Sequence, residues 1–478
     1  MNKFFQFSFL IAALSCVVLL SSCSDDPALP DNLANFESDA QGFSVSESQL
    51  AVNVALVRGS DADASIVVGF STTGVNYGTD FTTEPASVNN TITLPVAAGQ
   101  TSASFKVNRT NTTGLKGDEK IVFTLQSAAD GLLLGQQNIF TLSFSEIIAS
   151  SAAMEINGGG ATIPNQVFID LSANRQTAVA RTSWDLAFAS AGDQFRVVLN
   201  SANKMLARAL TKTDLSTVTA SDTAGFGAQF SVEAVFAAAT SGPPNSAPAW
   251  IYQSPSWIDD QTGDLTKTAI EAVSAIATDN KVYIINRGTG VNGAKLGWKK
   301  IRVIRNGSNY ALQHADINSP NFTTLEVPKN STTGLTYVSL TGNSVVTVEP
   351  ATASWDIAWT PLTYVTSFGG APFAYYYQDM IIQNRTGVST VEVLTSAISY
   401  DNFKEANLAS VMLVSTSEIN IGAKWRKLSQ TGSSINTDRF YIVKDAAGNI
   451  YKIMFTALAT NGERGKPQFK FDLVKKGA

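Results

Sequence analysis

The chain has 478 residues, a formal net charge of −5 and a single histidine, and only 15% of its residues are charged. With no basic stripe, nucleic acid is a poor partner. Its two cysteines, Cys16 and Cys23, both fall near the N-terminus, which argues against a disulfide network, a thiolate metal site or a cysteine nucleophile in the rest of the chain. Stability must then come from packed cores, and the length suffices for about three of them. Ser, Thr, Asn and Gly replace charge on the surface, a composition that suits extracellular β-proteins.

Lys3 is followed by an apolar run from Phe4 to Leu20, too short and badly flanked to be a spanning helix. It ends in Leu20-Ser21-Ser22-Cys23, which resembles a bacterial lipobox. The resemblance implies removal of residues 1–22, a diacylglyceryl thioether on Cys23 and fatty acyl chains such as palmitate. Several acyl chains, at ~0.8 kcal/mol per buried methylene, anchor stably where one does not. Ser24-Asp25-Asp26 is similar to the surface-export signal of a group of Gram-negative outer-membrane lipoproteins. The expected location is the outer membrane, lipid-anchored and cell-surface exposed, with residues 23–35 as a tether.

Residues 36–147 alternate apolar and polar side chains at a period of two, as in Leu50, Val52, Val54 and Leu56. Further strands are expected over Ser65 to Phe70, Ile92 to Val96, Ala103 to Val107, Ile121 to Leu125 and Ile139 to Phe144. Their spacing and Gly/Asn/Asp turns predict a β-sandwich. SVSES at 44–48, NYGTDF at 76–81, PVAAGQTSASFKV at 95–107 and GDEKIVFTL at 117–125 together resemble a Calx-beta domain. Some members bind calcium through carboxylates at one end, and the matching positions are Glu47, Asp80, Asp118 and Glu119. Calcium needs six to eight oxygens, so these acids must converge; the other reading of the domain is a spacer with solvated loop acids.

Residues 148–160, ending in three glycines, read as a linker. Beyond them the chain repeats itself. VFIDLSANRQTAVARTSWDLAF (from Val167) answers TYVSLTGNSVVTVEPATASWDIAW (from Thr336), and VYIINRG (from Val282) answers FYIVKDAAG (from Phe440). The period is too long for a solenoid and indicates a duplicated, mostly β domain, 161–325 and 326–478. The Trp184-Asp185 and Trp355-Asp356 pairs read as fold-defining. Helix candidates are Val232 to Ala239, inside an insertion at 222–249, and residues 266–277. The predicted class is all-β with low helix content.

The two Trp-Asp strands, a later Trp (Trp250 or Trp425) and the closing hairpin at 441–453 resemble the HmuY-like family of surface lipoproteins, over 161–478 as two copies. The resemblance implies an all-β fold, a mouth between loops that holds haem, and delivery of haem to a TonB-dependent outer-membrane transporter. Haem iron takes imidazole or thioether donors. His314 lies outside the mid-domain loops, and the family's histidine positions fall near Gln430, Pro255 and Ile398–Tyr400. A methionine version points instead to Met380 and Met412 in the second copy. The run FGGAPFAYYYQDM adds Phe373, Tyr375 and Tyr377 on one strand face and Tyr376 on the other, suited to a flat apolar ligand, to a protein partner or to edge packing.

No Ser-His-Asp set, HExxH, P-loop or Rossmann glycine pattern appears in the sequence. The chain is therefore read as non-enzymatic. It is either a lipoprotein capturing haem or another small molecule for an outer-membrane transporter, or a structural or adhesin-like subunit of an outer-membrane complex.

Overall fold

The computed structural model describes residues 31–43, 47–111, 119–145, 148–242, 246–368, 370, 372–429, 432–460 and 462–477. Strand dominates them, and the all-β expectation holds. Among the described residues there is one α-helix, Val232–Thr240, capped by the Ser231 side chain and coinciding with the first helix candidate. No helix among them is long and apolar enough to cross a membrane.

In the N-terminal module the period-two pattern does what it predicts. Gln49–Leu56 buries Leu50, Val52, Val54 and Leu56 and turns the residues between them outward. Two five-stranded sheets share one core, through which Phe36, Phe140, Phe123, Phe105, Phe70 and Phe81 touch ring to ring. The first strand, Asn32–Phe36, begins inside the stretch expected as tether and runs parallel to Leu132–Leu134.

Two expectations are corrected. The linker contains a strand: Ser151–Glu155 pairs antiparallel with the last strand, Gln468–Lys475. The 266–277 segment forms no α-helix: only its ends fall in short 3-10 turns, Leu265–Lys267 and Ala277–Asp279. Its amides are satisfied from outside: Ala269 N–H donates to Asp259, Glu271 N–H to the Tyr283 hydroxyl and Val273 N–H to the Phe195 carbonyl. Ile270 and Val273 enter the core meanwhile, so tertiary partners override local propensity.

The duplicated part folds as two bodies out of phase with the sequence repeat. Each copy opens with a lead strand (Asn165–Asp170 or Leu335–Ser339) that hairpins and then gives way to a Trp-Asp strand (Leu186–Ala189 or Ile357–Thr366). Each lead strand pairs with the other copy's Trp-Asp strand: Phe168 lies opposite Ala358, and Tyr337 opposite Ala187. The strand before each lead strand follows the same rule. Thr323–Val327 closes the first copy's five-stranded sheet, and Ser151–Glu155 closes the second's. One core therefore draws only on residues between Leu186 and Leu340. A second combines Ala149 to Leu171 with Ile357 to Phe471, and smaller clusters around Phe373 and around Trp184 and Trp355 join the two. The first body is continuous and is inserted into the second.

The Trp-Asp motif fastens this exchange. Trp184 meets Tyr337 edge to face at 4.9 Å, and Trp355 meets Phe168 at 5.1 Å. Asp185 accepts the Leu340 amide at 2.7 Å, and Asp356 accepts the Leu171 amide at 2.8 Å. Asn200 and Asn384, which the sequence reading did not single out, brace the Trp184 and Trp355 carbonyls. These tryptophans and aspartates are buried, so the motif is fold-defining, with carboxylates bonded to backbone.

At one matching buried position the copies carry opposite charges. After the matching YII and YIV strands stand Arg287 in one copy and Asp445 in the other. Arg287 holds Asp185 at 2.7 and 3.1 Å. Among the described residues Asp356 has no such partner. Burial pushes its carboxyl well above the usual range, and the charges of Asp170 and Asp445 push the same way. Such an acid weakens the fold as pH climbs from its unfolded pKa, about 4, through the raised folded value, and costs nothing below that window. Asp356→Asn, which keeps an acceptor for Leu171, is expected to raise the melting temperature at pH 7, with the gain vanishing near pH 4. An equal loss at both pH values would contradict this.

Candidate functional site

The second Trp-Asp strand turns back into Phe373–Gln383, the edge strand of its sheet, with Tyr364 opposite Tyr375 and Leu362 opposite Tyr377. Pairing then slips, Thr360 lying opposite Met380, and Asp379 takes a left-handed φ of 56° within the bulge. The side chains that pairing lines up form a ladder of rings. Phe368 meets Phe373 and Tyr375 at 5.3 and 5.4 Å, Tyr375 meets Tyr377 at 4.8 Å, and Tyr377 meets Tyr364 at 4.3 Å. Phe236, from the helix of the other body, adds a rung 5.4 Å from Tyr375. Phe368 is 52% exposed and Phe236 39%, whereas Phe373 is buried and the three tyrosines half-buried. The site thus lies on the seam between the bodies. Tyr376 faces away, donates to the Ala202 carbonyl and carries Lys204 over its ring at 4.8 Å.

Beneath the tyrosine end lies a buried charge cluster. Asp379 is fully buried and paired with both Arg426 and Arg464. Arg426 sits 5.8 Å from the Tyr377 ring centre. Burial pushes the Asp379 carboxyl up, against the pull of the two guanidiniums. Trp425 donates to the Asp379 carbonyl at 3.0 Å and stacks on Phe455, which makes it core rather than ligand surface.

Of the residues singled out in the sequence, Tyr375 and Tyr377 are brought together, and the methionines stand in different settings. Met380 is 2% exposed, and a side chain at Gly422 would touch its terminal methyl group; Met412 is 79% exposed on a loop. His314 is a buried strand residue whose Nε2 is 2.8 Å from Asn343 Oδ1. Gly369 and Cys23 lie outside the described residues. So does Asp118, one of the four expected calcium ligands. The Glu47 carboxylate is held by Arg175 at 2.8 Å. Asp80 accepts from the Asn76 amide and the Asn111 side chain, bonds that keep its carboxyl below the usual range. Glu119 is buried. Among the described residues no three His, Cys, Asp or Glu side chains gather as a metal site.

Sequence reasoning missed Tyr364, Phe236, Asp379, Arg426 and Arg464. The hairpin pattern TYVTS-FGGAP-FAYYY carried the signal for Tyr364, since folding it back sets Tyr364 across from Tyr375.

A family model described as HmuY protein matches residues 162–310 and 331–471. Each match begins at or just before a lead strand, so each covers parts of both bodies. No curated protein sequence matches the chain. Among solved structures, the apo form of the Calx CBD1 domain is 18% identical, covers 24% of this chain and 99% of that chain, and has a TM-score of 0.21. A putative carbohydrate binding protein from Bacteroides ovatus is 11% identical and covers 93% of this chain and 98% of that chain, with a TM-score of 0.18. Scores this low make both mere likenesses.

Proposed function

The chain belongs to the HmuY family, and from that premise we propose that it is a surface lipoprotein, anchored through Cys23, that captures a flat apolar ligand, haem foremost, and hands it to a TonB-dependent outer-membrane transporter. We read it as a carrier, not an enzyme. The supporting observation is the half-exposed ladder of Phe236, Phe368, Tyr375, Tyr377 and Tyr364. Rings fixed by a strand and a helix present apolar area at little entropic cost, and they suit the face of a macrocycle. The donor set fits less well. His314 is tied into its sheet, and Met380 is closed off from solvent. We therefore assign capture mainly to stacking.

Titration of residues 24–478, free of lipid, with haem is the test. A saturable Soret change is expected. Tyr375→Ala is expected to weaken binding about tenfold, equivalent to about 1.4 kcal/mol, and Met380→Leu to leave it unchanged. A spectrum that only tracks free haem would remove the haem reading.

A further inference from the structure

We propose that a cavity on the seam where the lead strands change copies binds one neutral sugar ring, either free or at the end of a glycan. The site is separate from the aromatic ladder, none of whose rings lines it. The cavity measures about 100 Å³. That is the order of volume that takes one small ring, against roughly 300 Å³ or more for larger ligands, so it does not suit a macrocycle.

Its walls repeat across the two copies. Phe168 and Tyr337 hold equivalent places on the lead strands, and Trp184 and Trp355 come from the two Trp-Asp motifs. Two residues before the lead-strand rings the equivalence breaks, with Gln166 in one copy and Leu335 in the other. The Trp184 indole N–H donates to Gln166 Oε1 at 3.2 Å. Leu335 offers Trp355 no such acceptor. Among the described residues the Trp355 N–H has no partner, although the residue is only 6% exposed. A buried donor without an acceptor is costly, and a ligand oxygen in the cavity supplies one.

The rest of the lining suits hydroxyl groups. Asp260 is bonded to Thr262 through Oδ1, which leaves its other carboxylate oxygen to accept. Pro361 and Leu362 add apolar wall beside the rings. Aromatic and aliphatic walls edged by a donor and an acceptor match the C–H and O–H groups of a pyranose. A small organic cation is the other guest that an aromatic, acidic cavity can take. The lining disfavours it. Arg385, held by Glu418 at 2.5 Å, puts a positive charge in the wall. Glu349 already accepts the Leu335 amide and the Tyr337 hydroxyl, and Asp259 the Leu199 and Ala269 amides. A quaternary ammonium also brings no acceptor for Trp355.

Saturation-transfer NMR titrations of residues 24–478 test the assignment. The probes are D-glucose, D-galactose, D-mannose and their methyl glycosides, with choline as the cation, and a glycan array is read in parallel. Saturable sugar binding is expected. Trp355→Phe, which keeps a ring but removes the N–H, and Asp260→Asn are each expected to weaken it about tenfold. Binding of free hexoses assigns the site to a free ring as well as a terminal one; binding of array glycans alone assigns it to a terminal ring. Thermal melts check that the variants fold, and if Trp355→Phe does not, Asp260→Asn decides. No saturable binding of any sugar, binding that a folded variant leaves unchanged, or choline binding in its place overturns the proposal. A haem titration of the same chain that fails removes the capture reading alone.

Discussion

A fragment spanning residues 181–350 is expected to fold alone as a monomer, and one spanning 326–478 is not. The second fragment is the repeat as the sequence marks it, yet it lacks two strands that complete its sheets, Asn165–Asp170 and Ser151–Glu155. Without them Ile357–Thr366 and Gln468–Lys475 each expose an unpaired edge. Its own lead strand, Leu335–Ser339, has no Leu186–Ala189 to join. The first fragment cuts across both repeats but holds a whole core, from Leu186 to Leu340. Size-exclusion chromatography and thermal melts distinguish the cases. A single cooperative melt and monomeric elution are expected for 181–350, and aggregates or exchanged oligomers for 326–478. The reverse result would show that the lead strands pack within their own copies.

Arg287→Ala is expected to cost the chain about 3–5 kcal/mol, the usual result of leaving a buried carboxylate without its partner. Arg287 binds both oxygens of Asp185, the Leu296 carbonyl and the Thr341 hydroxyl, so it ties the first Trp-Asp strand to the turn after the second lead strand. At about 2–4 °C per kcal/mol for a unit of this size, the first body should melt on the order of 10 °C lower. Adding Asp185→Asn should recover part of the loss, because most of it comes from the stranded charge. A loss below about 1 kcal/mol would mean that the pair is not desolvated as the structure has it.

Much of this architecture can be read from residues. Period-two runs such as Gln49–Leu56 mark the sandwich, and two SWD phrases mark the duplication. The exchange of lead strands is illegible, because a lead hairpin has the same turn and the same apolar face whichever copy it joins. Only the connections at 181–185 and 347–356 decide the matter, and they carry no periodic signal. At the site, Tyr375 and Tyr377 are legible from alternation alone. Tyr364 requires the hairpin register, and Phe236 a contact between bodies. The Asp379 cluster is hidden because Asp379, Arg426 and Arg464 lie far apart in the chain and are the residue types expected at a surface.

The inserted helix has one more consequence. Val232–Thr240 belongs to the continuous body, yet its Phe236 lies against Tyr375 of the other. In a homodimer of identical subunits every substitution is made twice, and a wall added to one site is added to both. Fusing the halves into one chain removes that constraint. The two halves can then present unlike faces to each other, as Phe236 and Tyr375 do, where a dimer would repeat each contact twice.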